Sequence, residues 1–225
     1  MGIAELILFP IMWAMQHVLM LLQSVSGSYG AAIIGLSIVV RLLMTPILKV
    51  AAEAEEKERL LQAAMAPELD AAKRELSGRS HFERVEQIYA DHSYHPIQSV
   101  KSLLPIALQI PFLLSALFLL VDLPEVSGKG FLFISDLGRP DSLISLGALS
   151  INFLPIFLTA VAVFESAIRR ESTQQMRVRF LIVSGVIAVL IYPLPAGVCL
   201  YWLTSNVWSL ATTFRKNRMQ VLESL

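Results

Sequence analysis

Charge is laid along this chain in blocks, and the blocks without charge constrain its fold most. Leu6–Val40 and Phe180–Phe214 are runs of 35 residues without Asp, Glu, Lys or Arg, Ser102–Val121 is a run of 20, and Ser142–Phe164 is a run of 23. A helix of about 20 apolar residues crosses the hydrocarbon of a bilayer. The two longest runs exceed one crossing. Gly27, Ser28 and Gly30 divide the first, and Tyr192-Pro193-Leu194-Pro195-Ala196-Gly197 breaks the second into a tight hairpin. The chain therefore reads as all-α, a polytopic membrane protein with spans at about 28–50, 100–121, 143–166, 177–192 and 195–214.

Two segments do not read as core spans. In residues 1–27, Glu5, Gln16 and Gln23 return to nearly the same helical angle. This reads as an amphipathic helix lying in the extracytoplasmic interface, with a full crossing as the alternative. Residues 51–98 are charged and helix-forming, with ten Asp/Glu against six Lys/Arg between 51 and 100. Leu60, Leu61, Ala64, Met65, Leu69, Ala72 and Leu76 form one apolar face, and Phe82, Val85, Ile88 and Tyr89 form a second. Ser77-Gly78 separates them and His95-Pro96 closes the second. The pattern predicts two antiparallel helices outside the membrane, the first perturbed by Pro67.

Basic residues orient the spans, because cytoplasmic loops carry the excess of Lys and Arg. One side holds 8 in residues 49–101, 4 in 169–179 and 3 in the tail 215–225; the other holds Lys129 and Arg139. The N-terminus is then outside, and the helical pair and the C-terminus are cytoplasmic. A formal net charge of zero gives no reason to expect a nucleic-acid partner. Cys199, alone in an apolar run, reads as a small core residue. His92 and His95 are too isolated to build a metal site, and neither metal nor cofactor is expected.

Within the first core span lies Arg41. A charge at the centre of a spanning helix costs roughly 2.5–3.5 kcal/mol on insertion scales. No acidic residue stands within several turns of it along the chain. Ser37, Arg41 and Thr45 share one helical face, which points to a hydrated cavity; snorkelling toward the headgroups is the alternative. Ser145, Asn152, Thr159 and Ser166 recur every seven residues, either lining that cavity or bonding helix to helix. Trp202, Asn206, Ser209 and Thr213 make a further polar face. No nucleophile–base pair, phosphate loop, HExxH or CxxC is present, so the sequence speaks against an enzyme.

The order of motifs along the chain resembles the YidC/Oxa/Alb family of membrane protein insertases. The matching stretches are Tyr29-Gly30 through Arg41-Leu42-Leu43 and Pro46; Ala66-Pro67-Glu68-Leu69; His95-Pro96, where the family has Asn-Pro; Leu104-Pro105 with Gln109-Ile110-Pro111-Phe112; Phe131-Leu132-Phe133-Ile134-Ser135-Asp136-Leu137; Leu154-Pro155; and Pro195-Ala196-Gly197 with Tyr201-Trp202 and Ser205-Asn206. The resemblance implies a five-helix insertase core in a bacterial cytoplasmic (inner) membrane, with a hydrophilic groove open to cytoplasm and lipid. Arg41 matches the family's groove arginine. Ser37, Gln109, Leu113, Tyr201 and Trp202 match positions that line the groove or touch the inserting chain. Client membrane proteins and lipids are the implied partners. The cytoplasmic hairpin and loops would recruit a Sec translocon, a targeting receptor or a ribosome. Residues 142–153 are longer than the family's usual connection. A small-solute or anion transporter with Arg41 as its substrate site is the rival reading, against which the absence of inverted repeats argues.

Overall fold

A computed structural model describes residues 3–95, 97, 104–146, 149–168 and 174–223. The helices are α1 Ile3–Ser26, α2 Tyr29–Glu75, α3 Gly78–Asp91, α4 Leu104–Val121, α5 Phe153–Ile168, α6 Gln174–Ile191 and α7 Ala196–Glu223. Strands β1 Ile144–Leu146 and β2 Leu149–Ile151 pair antiparallel, Ile144 opposite Ile151 and Leu146 opposite Leu149. The fold is all-α, as its periodicity predicts, with this short hairpin as the sole strand pair among the described residues. The chain divides into two compact units, residues 1–42 with 112–225, and residues 43–111.

In the first unit, α5 packs on α6 and α7, and the start of α2 runs alongside α7 in parallel. Ile33 meets Gly197, and one turn further Ser37 meets Tyr201 and Ser205. The segment after α4 closes the end of the bundle where α2 and α7 begin. Asp136 organises it by accepting the amides of Gly128 and Gly138 on one carboxylate oxygen, each at 2.9 Å. Phe131 and Ile134 exchange backbone hydrogen bonds across Leu132 and Phe133. Ile134 and Leu137 are buried beneath that turn, while Leu132 and Phe133 project outward. The Leu137 carbonyl accepts the Gly197 amide at 2.8 Å, tying the segment to the first turn of α7. Phe131 lies on Gly30, whose missing side chain is the space its ring occupies.

α1 lies against α2 and α4. Leu22 fills the space beside Gly35, and the Leu8 carbonyl accepts the Ser115 hydroxyl at 3.4 Å. Leu8 and Leu22 are about 21 Å apart along α1 at the helical rise. Yet Gly35 and Ser115 are equally far from the start of α2 and the end of α4, where both helices meet the closing segment.

The expected span at 143–166 begins ten residues later. Its first part is the β-hairpin, and α5 starts at Phe153. Local chemistry explains the difference. Ile144-Ser145-Leu146 and Leu149-Ser150-Ile151 alternate with a period of two, the signature of strands. Asp141 Oδ2 accepts the amides of Phe153 and Leu154 at 2.7 and 3.2 Å, an acidic cap at the positive end of α5. Pro155 then falls in the first turn, where its missing N–H costs no bond. The seven-residue polar stripe is consequently broken: Ser145 is on a strand, Asn152 precedes the helix, and Thr159 and Ser166 alone lie on α5. Further differences are that α7 continues to Glu223, past the expected limit at 214, and that α3 stops at Asp91. Pro96 and residues 98–103, in the expected ends of the hairpin and the second span, lie outside the described residues.

The second unit pairs the later part of α2 with α3. Tyr94 reaches Glu58 while Arg84 and His92 reach Glu68, so the chains run antiparallel. Met65, Ala72, Ile88 and Tyr94 form the small core, with Leu61, Leu69 and Tyr89 against it. α2 does not break at Pro67. That proline is exposed, and the Ala63 carbonyl it leaves without an amide is at a solvent-facing position. Glu58 is buried and accepts both the Tyr94 hydroxyl at 2.8 Å and the Gln62 amide at 2.9 Å.

Two expectations follow. Gly30→Leu forces a Cβ into Phe131 and should destabilise the fold by about 1–3 kcal/mol, the range for overpacking; Phe131→Ala in the same chain should restore much of the melting temperature in detergent. Burial, followed by its bond to Glu58, raises the Tyr94 hydroxyl above its usual value of 10.0. A raised folded pKa means the neutral phenol contributes stability that is complete below pH 10 and is lost as pH rises through the folded value. Ultraviolet titration should show late-ionising tyrosine absorbance that Tyr94→Phe reduces by one residue, and the same substitution should cost about 1.5–3 kcal/mol.

Candidate functional site

The polar residues of the first unit converge where α2, α5 and α7 meet. Ser37 is fully buried. Its hydroxyl donates to the Tyr201 carbonyl at 3.0 Å and lies 3.4 Å from the Ser205 hydroxyl. One turn on, Arg41 is half-buried and its Nε donates to Ser205 Oγ at 2.9 Å. Small residues at the contact let two helices approach closely enough for such bonds; here they are Ser37 on α2 with Gly197 and Ser205 on α7.

The same face of α7 carries two more hydroxyls. Glu165, on α5, is buried. Its Oε1 accepts Ser209 Oγ at 2.8 Å and Thr213 Oγ1 at 3.2 Å. Tyr201, Ser205, Ser209 and Thr213 are spaced by four residues and lie along one side of the helix. Arg41 and Glu165 therefore hang on successive turns of a single row. Glu165 is thereby held within electrostatic reach of the guanidinium. No acid stands near Arg41 along the chain, and the one that shares its row of hydroxyls is distant in sequence. Glu165 was missed because it follows immediately on the uncharged run ending at Phe164 and precedes Arg169 and Arg170, so it read as a border charge. A lone acid inside the apolar stretch Val161–Ile168 was the signal available.

The remaining expected residues are dispersed. Asn152 belongs to the end of the bundle where α5 starts. Its Oδ1 accepts the Ser142 amide at 3.1 Å, and its Nδ2 donates to the Tyr192 carbonyl at 2.8 Å. Thr159 donates to the Pro155 carbonyl of its own helix at 2.8 Å. Trp202, Asn206 and Leu113 are half-buried in the first unit, while Thr45 and Gln109 are half-buried in the second. Among the described residues no group of His, Cys, Asp and Glu could hold a metal ion. The site offers hydrogen-bonding and charge.

Residues 20–223 match the family described as 60Kd inner membrane protein. The chain belongs to this family. Among its relatives in the 60Kd inner membrane protein family is a membrane protein insertase YidC of Neisseria meningitidis, 28% identical over 215 residues, which cover 93% of this chain and 36% of that protein. The membrane protein insertase MisCB of Bacillus subtilis is 26% identical over 195 residues, covering 81% of this chain and 69% of that one. The chain thus spans about a third of the YidC relatives it matches, and more of MisCB. Its fold is similar to that of an active YidC insertase crystal structure with the first transmembrane domain resolved, at a TM-score of 0.58 and 20% identity, covering 95% of this chain and 47% of that chain.

Removing the shared hydroxyl tests the row. Ser205→Ala takes an acceptor from Arg41 and should cost about 1.5–3 kcal/mol, as for other bonds to charged groups. Thermal unfolding in detergent measures it, and Ser205→Thr, which keeps the hydroxyl, should lose less.

Proposed function

We propose that this chain is a membrane protein insertase of the inner membrane, and that Arg41 is the group its clients meet. The observation that carries this reading is the Arg41–Ser205 bond in a row of buried polar groups between α2, α5 and α7: charge is kept inside the bundle where a hydrophobic residue would be cheaper. Kinship with YidC and MisCB supports the activity. The mechanism is solvational and electrostatic. Arg41, with Ser37, Leu113, Tyr201, Trp202 and Asn206 of the first unit as the proposed groove set, lowers the cost of taking a client's polar outer segment into the membrane while its apolar helix passes into lipid. Attraction between Arg41 and client carboxylates is stronger there than in water because the dielectric is low. No covalent step is involved, and no cofactor.

The proposed topology is five spans, with the N-terminus outside and the helical pair of α2 and α3 in the cytoplasm. That pair is the proposed docking element for a Sec translocon, a targeting receptor or a ribosome. The two anchor points of α1, far apart along its axis yet at matching levels of α2 and α4, support an interfacial helix lying across the bundle end. Six exposed apolar residues on it, Leu6, Ile7, Phe9, Trp13, Leu21 and Val25, suit contact with lipid.

The test is insertion of single-span clients into proteoliposomes containing the full chain, with efflux of small anions followed in parallel. Insertion without anion flux is expected. Arg41→Ala should reduce insertion of clients with acidic outer segments by roughly tenfold, the effect of about 1.4 kcal/mol, and of neutral ones less. Arg41→Lys should retain most activity, since attraction to a carboxylate needs the charge first. Anion flux without insertion would favour a transporter.

A further inference from the structure

We infer that Glu165 is the resident counter-charge of Arg41 and that it sets how strongly the site prefers acidic clients; this rests on the insertase reading above. The geometry is independent of that reading. Arg41 is bonded to Ser205 and Glu165 to Ser209, one turn apart on α7. Side chains four residues apart on one helix are about 5–6 Å from each other at Cβ, so the ladder brings the two charges into each other's field, and the Glu165 charge acts on Arg41.

Two hydroxyls on a single carboxylate oxygen, at 2.8 and 3.2 Å, fix Glu165 from the side of α7. Apolar packing also holds this level of α5 to α7: the Phe164 and Phe214 rings stand 6.2 Å apart. The carboxylate is buried and does not leave with ease. A client carboxylate approaching Arg41 therefore enters a site whose positive charge is already partly answered. It must compete with Glu165 for the guanidinium and is repelled by it. A client with a neutral outer segment faces neither effect. Glu165 is thus a specificity-determining residue: it lowers the site's preference for acidic segments below what Arg41 alone would give, and keeps the site open to neutral ones.

The experiment compares two single-span clients that differ by Asp or Asn at one outer position, inserted by the wild-type chain, Glu165→Gln, Arg41→Ala and the double variant in proteoliposomes. Gln retains an oxygen to accept Ser209 and Thr213. The acidic-to-neutral ratio should rise on the order of fivefold in Glu165→Gln, the lower end of coupling between interacting sites. It should fall in Arg41→Ala, and the double variant should match Arg41→Ala. A ratio unchanged or lowered in Glu165→Gln, with Arg41-dependent insertion intact, overturns the inference and leaves the insertase reading standing. Failure of the wild-type chain to insert either client overturns the reading itself. If Glu165→Gln does not fold, Glu165→Asp serves: withdrawing the carboxylate by one methylene should raise the ratio in the same direction, and no change refutes the role.

Discussion

A guanidinium carries five N–H donors and accepts nothing. Within an apolar bundle that fact decides what may stand beside it. α7 answers with hydroxyls at every fourth residue, so that its side facing α2 and α5 is polar for several turns. Ser205 takes the Nε of Arg41, and the next two hydroxyls hold the acid that acts on Arg41 from α5. Three helices are cross-linked through one row of small side chains. The row also needs close backbones, and Gly197 and Ser37 supply them at the same contact.

The helical character of the chain was legible because uncharged runs and apolar stripes are long-range averages, insensitive to any one residue. The apolar core of the second unit was legible for the same reason: Met65, Ala72 and Ile88 all lie on the predicted stripes. What escaped was set by single side chains. The strands at 144–151 look like part of a span when only charge is counted; the alternation of Ile and Leu with serine, and the Asp141 cap, are local facts that a charge count discards. Asn152 lay on a seven-residue stripe only if one helix ran through it. Glu165 escaped for a different reason. Its importance comes from three helices meeting, and a chain read in one dimension shows Arg41 and Glu165 as separated by most of the sequence.

The segment from Leu123 to Leu137 shows the same dependence on small spaces. Its tight turn presents Leu132 in a left-handed conformation, at φ 52°, with its side chain outward. Glycine or asparagine would adopt that backbone with less strain. Phe131 on Gly30 and Ile134 in the core fix the turn from below. The closing segment is thus fitted to α2 and α7 through two glycine-sized gaps, Gly30 and Gly197, and does not depend on the exposed tip for its hold.

The β-hairpin differs in kind. Its two ends are fastened to each other before the strands begin: Asp141 caps α5, and the Asn152 side chain accepts the Ser142 amide at 3.1 Å. The base is closed whatever lies between. Lengthening a loop whose ends are already joined costs only slowly growing entropy, about 0.6 kcal/mol per doubling. The position between Ser142 and Asn152 is therefore the natural place in this chain for sequence to accumulate or be lost without disturbing the helices, and the place where an inserted reporter domain would leave the bundle in register.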